Sequence, residues 1–130
     1  MQSPMLEFQS DGFPVTPGED ERTNPGIYGE SLAEWLRLEL GKAGVPARDV
    51  IAEDFGWCVP VKSTQSVYVA CASSEDGTNQ WRVFLFAEGG LLARALGKDR
   101  RAESLSELYA IVRRCLEARR DVINLREVSG

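Results

Sequence analysis

The sequence predicts an α+β fold: an antiparallel sheet of four to five strands with two main helices packed on one face. Two stretches repeat apolar residues at the three- and four-residue spacing of a helix, and the region between them alternates with the period of two of a strand. Strands grouped between helices favour an antiparallel sheet over a doubly wound parallel one. The predicted order is β-α-β-β-β-(β)-α-β, in a single domain over residues 1–130.

The first part of the chain predicts a strand, a loop and a helix. Residues 5–8 alternate apolar and polar side chains, and residues 11–26 hold three prolines and three glycines, which resist regular structure. Asn24 followed by Pro25 is a typical helix start, and Gly44 is a typical helix end. The apolar stripe of the predicted helix consists of Leu32, Trp35, Leu36, Leu40 and Ala43.

Three strands are predicted around residues 57–61, 67–71 and 81–85. The last two are apolar on both faces and should lie at the centre of the sheet, whereas Pro60 suits a strand nearer the edge. Asp76 followed by Gly77 predicts a hairpin loop between the two central strands.

The last third of the chain predicts the second helix and a final strand. Residues 98–101 are charged and predict a solvated loop, and Ser104 with Glu107 fits a capping box at the helix start. The alternation in residues 121–128 predicts an edge strand. The apolar stripe of the helix consists of Leu105, Leu108, Tyr109, Val112, Cys115 and Leu116.

The chain contains no histidine, which removes most familiar catalytic designs. Ser-His-Asp and Cys-His arrangements and histidine metal ligands are all excluded, and no phosphate-binding glycine motif is present. Cys58, Cys71 and Cys115 are far apart and are predicted to be small buried residues, not a disulfide or zinc framework. We therefore predict that the protein is not an enzyme and uses no metal or cofactor.

No stretch approaches the roughly 20 consecutive apolar residues of a membrane-spanning helix, and the first residues do not resemble a signal peptide. We therefore predict a cytoplasmic protein with no membrane partner.

The formal net charge of −5 is unevenly distributed. Residues 1–60 contain 11 acidic and 4 basic side chains, and residues 61–130 contain 9 and 11. Net acidity opposes nucleic-acid binding and favours a basic protein partner. The bases of the second half lack interleaved aromatic residues, so a nucleic-acid platform is not predicted there. They are Lys98, Arg100, Arg101, Arg113, Arg114, Arg119 and Arg120.

Two acidic segments are the candidate binding residues. One lies in the loop of residues 11–26, and the other precedes a predicted strand that begins near Trp57. If the loop lies near the second segment, the carboxylates form one negative surface. Trp57 is either a core residue or an exposed anchor beside the acids. The predicted protein-binding residues are Glu19, Asp20, Glu21, Glu53, Asp54 and Trp57.

Two alternative functions remain open. Phe55 and Trp57 could desolvate Glu53 or Asp54 and line a pocket, which would suit a small-molecule-binding protein or a carboxylate-dependent enzyme. Residues 121–128 could instead join two copies through an open sheet edge, so that both a monomer and a homodimer fit the sequence.

Residues 24–29 (NPGIYG) and 53–57 (EDFGW) resemble motifs of an uncharacterised family of small bacterial α+β proteins, and the resemblance covers most of the chain. The family pattern usually has tryptophan at the position of Phe55. The resemblance implies no reaction and no cofactor. In size and acidity the chain is also similar to immunity proteins, which neutralise partner toxins. Together these features predict a non-enzymatic protein-binding module of the inhibitor or immunity type.

Overall fold

The structure, a computed structural model, describes residues 2–62, 67–73, 79–87 and 98–128, and the side chains of all of these except 98–104. Within these residues the chain has the predicted α+β class, with six strands and two α-helices. The strands are β1 (Met5–Gln9), β2 (Ile51–Glu53), β3 (Gly56–Pro60), β4 (Val67–Ser73), β5 (Gln80–Ala87) and β6 (Ile123–Val128), and the helices are α1 (Glu30–Lys42) and α2 (Lys98–Glu117). Neither of these helices combines the length and apolar character needed to cross a membrane.

The strands form one antiparallel sheet in the order β2-β3-β4-β5-β1-β6. The prediction of four to five strands was too low, because β2 has three residues and is too short to show an alternating pattern. The central positions of β4 and β5 and the edge position of β6 are confirmed. β4 and β5 pair as a hairpin, with Ser73 opposite Trp81; the predicted turn at Asp76 and Gly77 lies outside the described residues.

One hydrophobic core joins the helices to one set of alternating strand residues. Leu32, Leu36 and Leu40 of α1 are completely buried in it. Each such side chain contributes about 1.5–3 kcal/mol relative to its exposed state. The strand residues of this core include Leu6, Phe8, Trp57, Val59, Val67, Val69, Cys71, Trp81, Val83 and Leu85. We call their side of the sheet the inner face and the opposite side the outer face, because successive strand residues point to opposite sides.

Helix α1 begins at Glu30, later than the predicted start at Asn24. Residues 24–27 form a turn instead, in which the Ile27 N–H donates to the Asn24 carbonyl over 2.9 Å. The predicted end is confirmed. Gly44 has a φ of +84°, and the Val45 N–H donates to the Leu40 carbonyl over 2.8 Å, which closes the last turn.

Helix α2 begins at Lys98, six residues before the predicted cap Ser104. The capping box was therefore wrong, and residues 98–101 are helical where a loop was predicted. The apolar stripe is largely confirmed. Its members Leu105, Leu108, Val112 and Leu116 are buried, whereas Tyr109 and Cys115 are half-buried.

Two glycines approach the same carbonyl group. Gly29, before α1, and Gly56, at the start of β3, have φ angles of +151° and +152°. A Cβ atom at Gly29 would lie 2.7 Å from the Cys71 carbonyl oxygen, and one at Gly56 would lie 2.5 Å from it. Side chains larger than hydrogen do not fit at these distances. Both glycines belong to the motifs that carry the family resemblance, so these motifs have a structural role in packing against β4.

No disulfide joins the three cysteines, all of which lie among the described residues. Cys58 and Cys71 are completely buried, which confirms the predicted environment for these two, and Cys115 is half-buried. Burial raises the pKa of the Cys71 thiol well above its usual value, with a further contribution from Cys58. Such a thiol is a poor nucleophile at neutral pH.

Candidate functional site

Glu19 was predicted to lie on the acidic surface, but it is buried, with 5% of its surface exposed. It begins a 3-10 turn, Glu19–Glu21, and its carboxylate accepts three backbone hydrogen bonds. The Thr16 N–H donates to Oε1 over 2.9 Å, and the N–H groups of Gly29 and Glu30 donate to Oε2 over 3.2 and 3.1 Å. Glu19 thus caps α1 from a distant loop and is not available to a partner.

Trp57 is completely buried in the core, so its interpretation as an exposed anchor was wrong and its core interpretation is confirmed. Its ring meets the guanidinium group of Arg22, whose Cζ lies 4.8 Å from the ring centroid. Arg22 also pairs with Glu30 over 3.4 Å. The arginine therefore covers the tryptophan from the loop side and neutralises one carboxylate there.

The other predicted acids lie at the surface. Glu21, Glu53 and Asp54 are exposed, and Asp20 is half-buried with its carboxylate accepting the Gly26 N–H over 2.9 Å. The loop reaches the turn between β2 and β3, where the Asn24 side-chain amide donates to the Asp54 carbonyl over 2.8 Å. This hydrogen bond brings the two acidic segments together. We call Asp20, Glu21, Glu53 and Asp54 the acidic surface.

Phe55 is a surface residue that the sequence reasoning placed only in a hypothetical pocket. It occupies the turn between β2 and β3 and is 44% exposed. Its ring centroid lies 6.5 Å from that of Phe84 and 5.9 Å from that of Phe86, and Tyr68 stacks on Phe86 at 5.1 Å. We call these four residues the aromatic patch. The sequence signal for the aromatic patch was the apolar character of both faces of β4 and β5. From that signal the sequence analysis predicted only that these strands are central.

The pocket hypothesis required Glu53, Asp54, Phe55 and Trp57 to surround a cavity. The first three are exposed at the surface and the fourth is enclosed in the core. Two open grooves of about 400 and 340 Å³ lie elsewhere; Gln9 and Asn124 line the first, and Ser10 and Asp11 line the second. Because Trp57 is enclosed in the core and the other three side chains are exposed, these four residues do not line one cavity as that hypothesis required.

Arg119, one of the bases in the second half, is held within the fold. Its Cζ lies 4.1 Å from the ring centroid of Phe13 and 4.8 Å from that of Trp35. Its Nε donates to Oδ1 of Asp121 over 2.7 Å, and its Nη2 donates to the Gly12 carbonyl over 3.1 Å. Arg119 therefore anchors the N-terminal loop and does not serve as an anion-binding group.

Asp121 should make the stability of the protein depend on pH under acidic conditions. Partial burial acts to raise the pKa of Asp121, but hydrogen bonds from Ser10 and Arg119 lower it below its ordinary value of 3.8. The Asp121 carboxylate therefore stabilises the fold fully above pH 3.8, and this contribution is lost as the pH falls through the lower pKa that Asp121 has in the folded state. Urea unfolding at neutral pH and below pH 3.8 should show a smaller acid-induced loss in Asp121→Asn than in the unmodified chain.

Asp49→Asn is the control for Asp121, because it removes an exposed carboxylate outside this cluster. It should retain the acid-induced loss of the unmodified chain. An equal loss in Asp121→Asn and Asp49→Asn would contradict the assignment.

A comparison of the chain with models of protein families finds no match, and comparisons with curated proteins and with solved structures find none either. The motif resemblance therefore remains an expectation, and the function has to be argued from the geometry. Among the described residues, no group of three or more Cys, Asp or Glu side chains is arranged to hold a metal ion.

Proposed function

We propose that the protein is a non-enzymatic, cytoplasmic binding module of the inhibitor or immunity type, which presents the acidic surface to a basic protein partner. The observation that carries the proposal is the hydrogen bond from the Asn24 side chain to the Asp54 carbonyl. Because of this bond, carboxylates more than 30 positions apart in the chain, at Glu21 and Asp54, belong to one surface.

The backbone around the acidic surface is well fixed. The loop is held by the three hydrogen bonds of Glu19, and the turn between β2 and β3 is held by Asn24 and by the close packing of Gly56. A partner therefore meets exposed carboxylates on an ordered frame, which lowers the entropic cost of binding. Clustered charges of one sign also accelerate the encounter with a partner of opposite charge.

The arrangement of the helices is part of the proposal. We infer that α1 and α2 both pack on the inner face, because their buried residues share one core with the inward-pointing strand residues. In this arrangement the acidic surface lies where β2 ends and the chain turns into β3, and the helices do not cover it. The aromatic patch lies on the outer face.

Neutralisation of the acidic surface should weaken partner binding by about tenfold, if each of three exposed charge pairs contributes about 0.5 kcal/mol. The test is capture from an extract of the source organism at low salt, with Glu21→Gln, Glu53→Gln and Asp54→Asn combined. The affinity of the captured basic protein is then measured against both forms of the chain. Binding should also weaken as salt is added, because exposed charges are screened.

The matched control combines Asp11→Asn, Glu107→Gln and Glu117→Gln, which change the net charge by the same amount at other exposed positions. This control should bind the partner as the unmodified chain does. An equal effect of both triple variants would show that only net charge matters, and no effect of the first would remove the acidic surface from the interaction. Either result would contradict the proposal.

A further inference from the structure

Arg22 is a single positive charge in an acidic part of the chain. It is the only basic residue in the first 36 positions of the sequence. Glu21 of the acidic surface precedes it directly, and the Glu30 carboxylate lies 3.4 Å from its Nη1. Asn24, two positions later, holds the loop to Asp54 of the same surface. A basic partner that approaches the acidic surface therefore meets a like charge at Arg22.

The Arg22 side chain is held by two contacts, both of which an incoming group could replace. Its guanidinium lies over the ring of Trp57, with Cζ 4.8 Å from the ring centroid, and its Nη1 pairs with Glu30. The side chain is 63% exposed, and an ion pair of this length and exposure contributes little to stability. The backbone is held separately, because the Arg22 N–H donates to the Glu19 carbonyl over 3.1 Å. The side chain can therefore leave the ring while the loop stays in place.

Trp57 is completely buried, yet the group that lies on its ring is itself largely exposed. This face of the ring is therefore only one side chain below the solvent. Tryptophan is the ring that binds cations best through its face, and arginine is the cation most often found there. Within the described part of the chain, the Trp57 Nε1 is also buried and has no hydrogen-bond partner. Buried donors of this kind are rare in folded proteins, so the fold leaves part of the binding capacity of this side chain unused.

We propose that Arg22 occupies, in the free chain, the site of an arginine side chain of the basic partner. In the complex the partner's arginine stacks on Trp57 and pairs with Glu30, and Arg22 turns out into the solvent. A planar guanidinium can stack on a ring and pair with a carboxylate at the same time, which a lysine cannot do equally well. The inference rests on the proposed function and adds to it the residue type that the acidic surface receives. Arg22 thus acts as an internal competitor of the partner.

The test uses the full chain and two capped peptides of equal charge. One is acetyl-Lys-Gly-Arg-Gly-Lys-amide, and the other has lysine in place of the central arginine. In Arg22→Gln the ring is open to an incoming guanidinium, so this variant should bind the arginine peptide about fivefold more tightly than the unmodified chain does. The arginine peptide should also shift the indole N–H resonance of Trp57 in nuclear magnetic resonance spectra. The lysine peptide should gain about twofold or less, because its ammonium group is compact and strongly hydrated.

Arg48→Gln is the matched control, because it removes an exposed arginine outside this site and changes the net charge equally. It should bind both peptides within about twofold of the unmodified chain. Arg22→Ala removes the whole side chain and should behave as Arg22→Gln does; circular dichroism should show an unchanged fold in all three variants. Equal gains in Arg22→Gln and Arg48→Gln, or equal gains for the two peptides, would show an effect of net charge alone and overturn the proposal. A Trp57 resonance that the arginine peptide leaves unchanged would overturn it as well.

Measurements with the captured basic protein separate this inference from the proposed function. Arg22→Gln should strengthen binding of that protein by about fivefold, whereas neutralisation of the acidic surface weakens it. An affinity that Arg22→Gln leaves unchanged would overturn the inference without affecting the acidic surface. If no basic protein were captured, the proposed function would fail instead. The two peptides would still decide whether Arg22 occupies a site for arginine.

Discussion

Gly56→Ala is expected to lower the free energy of unfolding by about 3 kcal/mol or more. The new Cβ would lie 2.5 Å from the Cys71 carbonyl oxygen and 2.9 Å from the Ala72 Cβ. The obstructing oxygen belongs to the backbone of β4, which is paired on both sides at the centre of the sheet and cannot move away cheaply. The φ angle of +152° adds backbone strain for any residue with a side chain.

Two other glycines separate the close contact from the backbone conformation. Gly26 has a φ of +83° but open space around it, so Gly26→Ala should cost only about 1 kcal/mol of conformational strain. Gly41 lies within α1, also with open space, and Gly41→Ala should stabilise the helix by about 0.5–1 kcal/mol. Urea unfolding of the three variants gives the comparison. A cost for Gly56→Ala no larger than for Gly26→Ala would contradict the close-contact explanation.

The elements predicted correctly are those with long, regular patterns. β4 and β5 have seven and eight residues, and their apolar character on both faces indicated their central position. β2 was not predicted because a strand of three residues is too short to show an alternation of apolar and polar side chains. The start of α1 was predicted too early because Asn24 and Pro25 have the local character of a helix start. The side chain that accepts hydrogen bonds from the first N–H groups of the helix is instead Glu19, ten or more residues before them.

For the candidate residues, the sequence indicated which segments are acidic but not which of their side chains are buried. Glu53 and Asp54 are exposed as expected, and the loop does reach them through Asn24. Glu19 and Trp57 are buried because of tertiary contacts that the local sequence does not show. The Glu19 carboxylate accepts three backbone hydrogen bonds, and the Trp57 side chain points to the inner face of the sheet. Phe55 is exposed because it lies in the turn before β3.

The motif residues and the surface residues have separate roles. Gly29, Gly56 and Trp57 pack in the interior of the fold, so the motifs that suggested a family describe how the chain folds. The exposed positions between them, Asp54 and Phe55, are those that a partner can reach. Family resemblance through these motifs would therefore predict a shared fold more strongly than a shared partner.

Glu19→Ala is the second change with a large expected effect, about 3 kcal/mol in the free energy of unfolding. The substitution leaves three N–H groups without their carboxylate acceptor, at Thr16, Gly29 and Glu30. It also removes a negative charge from the N-terminal end of α1, where the helix dipole favours one. Because Arg119 and Asn24 still hold the two ends of the loop, we expect only its middle, around Glu19, to detach from α1 before the sheet unfolds.

Glu19→Gln retains the size of the side chain and one acceptor oxygen. Its amide oxygen can accept from Gly29 and Glu30, but the amide nitrogen then faces the Thr16 N–H, so the cost should be about 1–2 kcal/mol. Glu21→Ala removes an exposed carboxylate from the same 3-10 turn and should change stability by no more than about 0.5 kcal/mol. Urea unfolding provides all three values.

The pair Glu19 and Glu21 also separates folding from recognition. Glu21→Ala should weaken binding of the basic partner while leaving the unfolding midpoint in place, because its carboxylate is exposed. Glu19→Ala should shift the unfolding midpoint strongly, because its carboxylate is buried among backbone donors. If both variants unfolded at the same urea concentration, Glu19 would not cap α1.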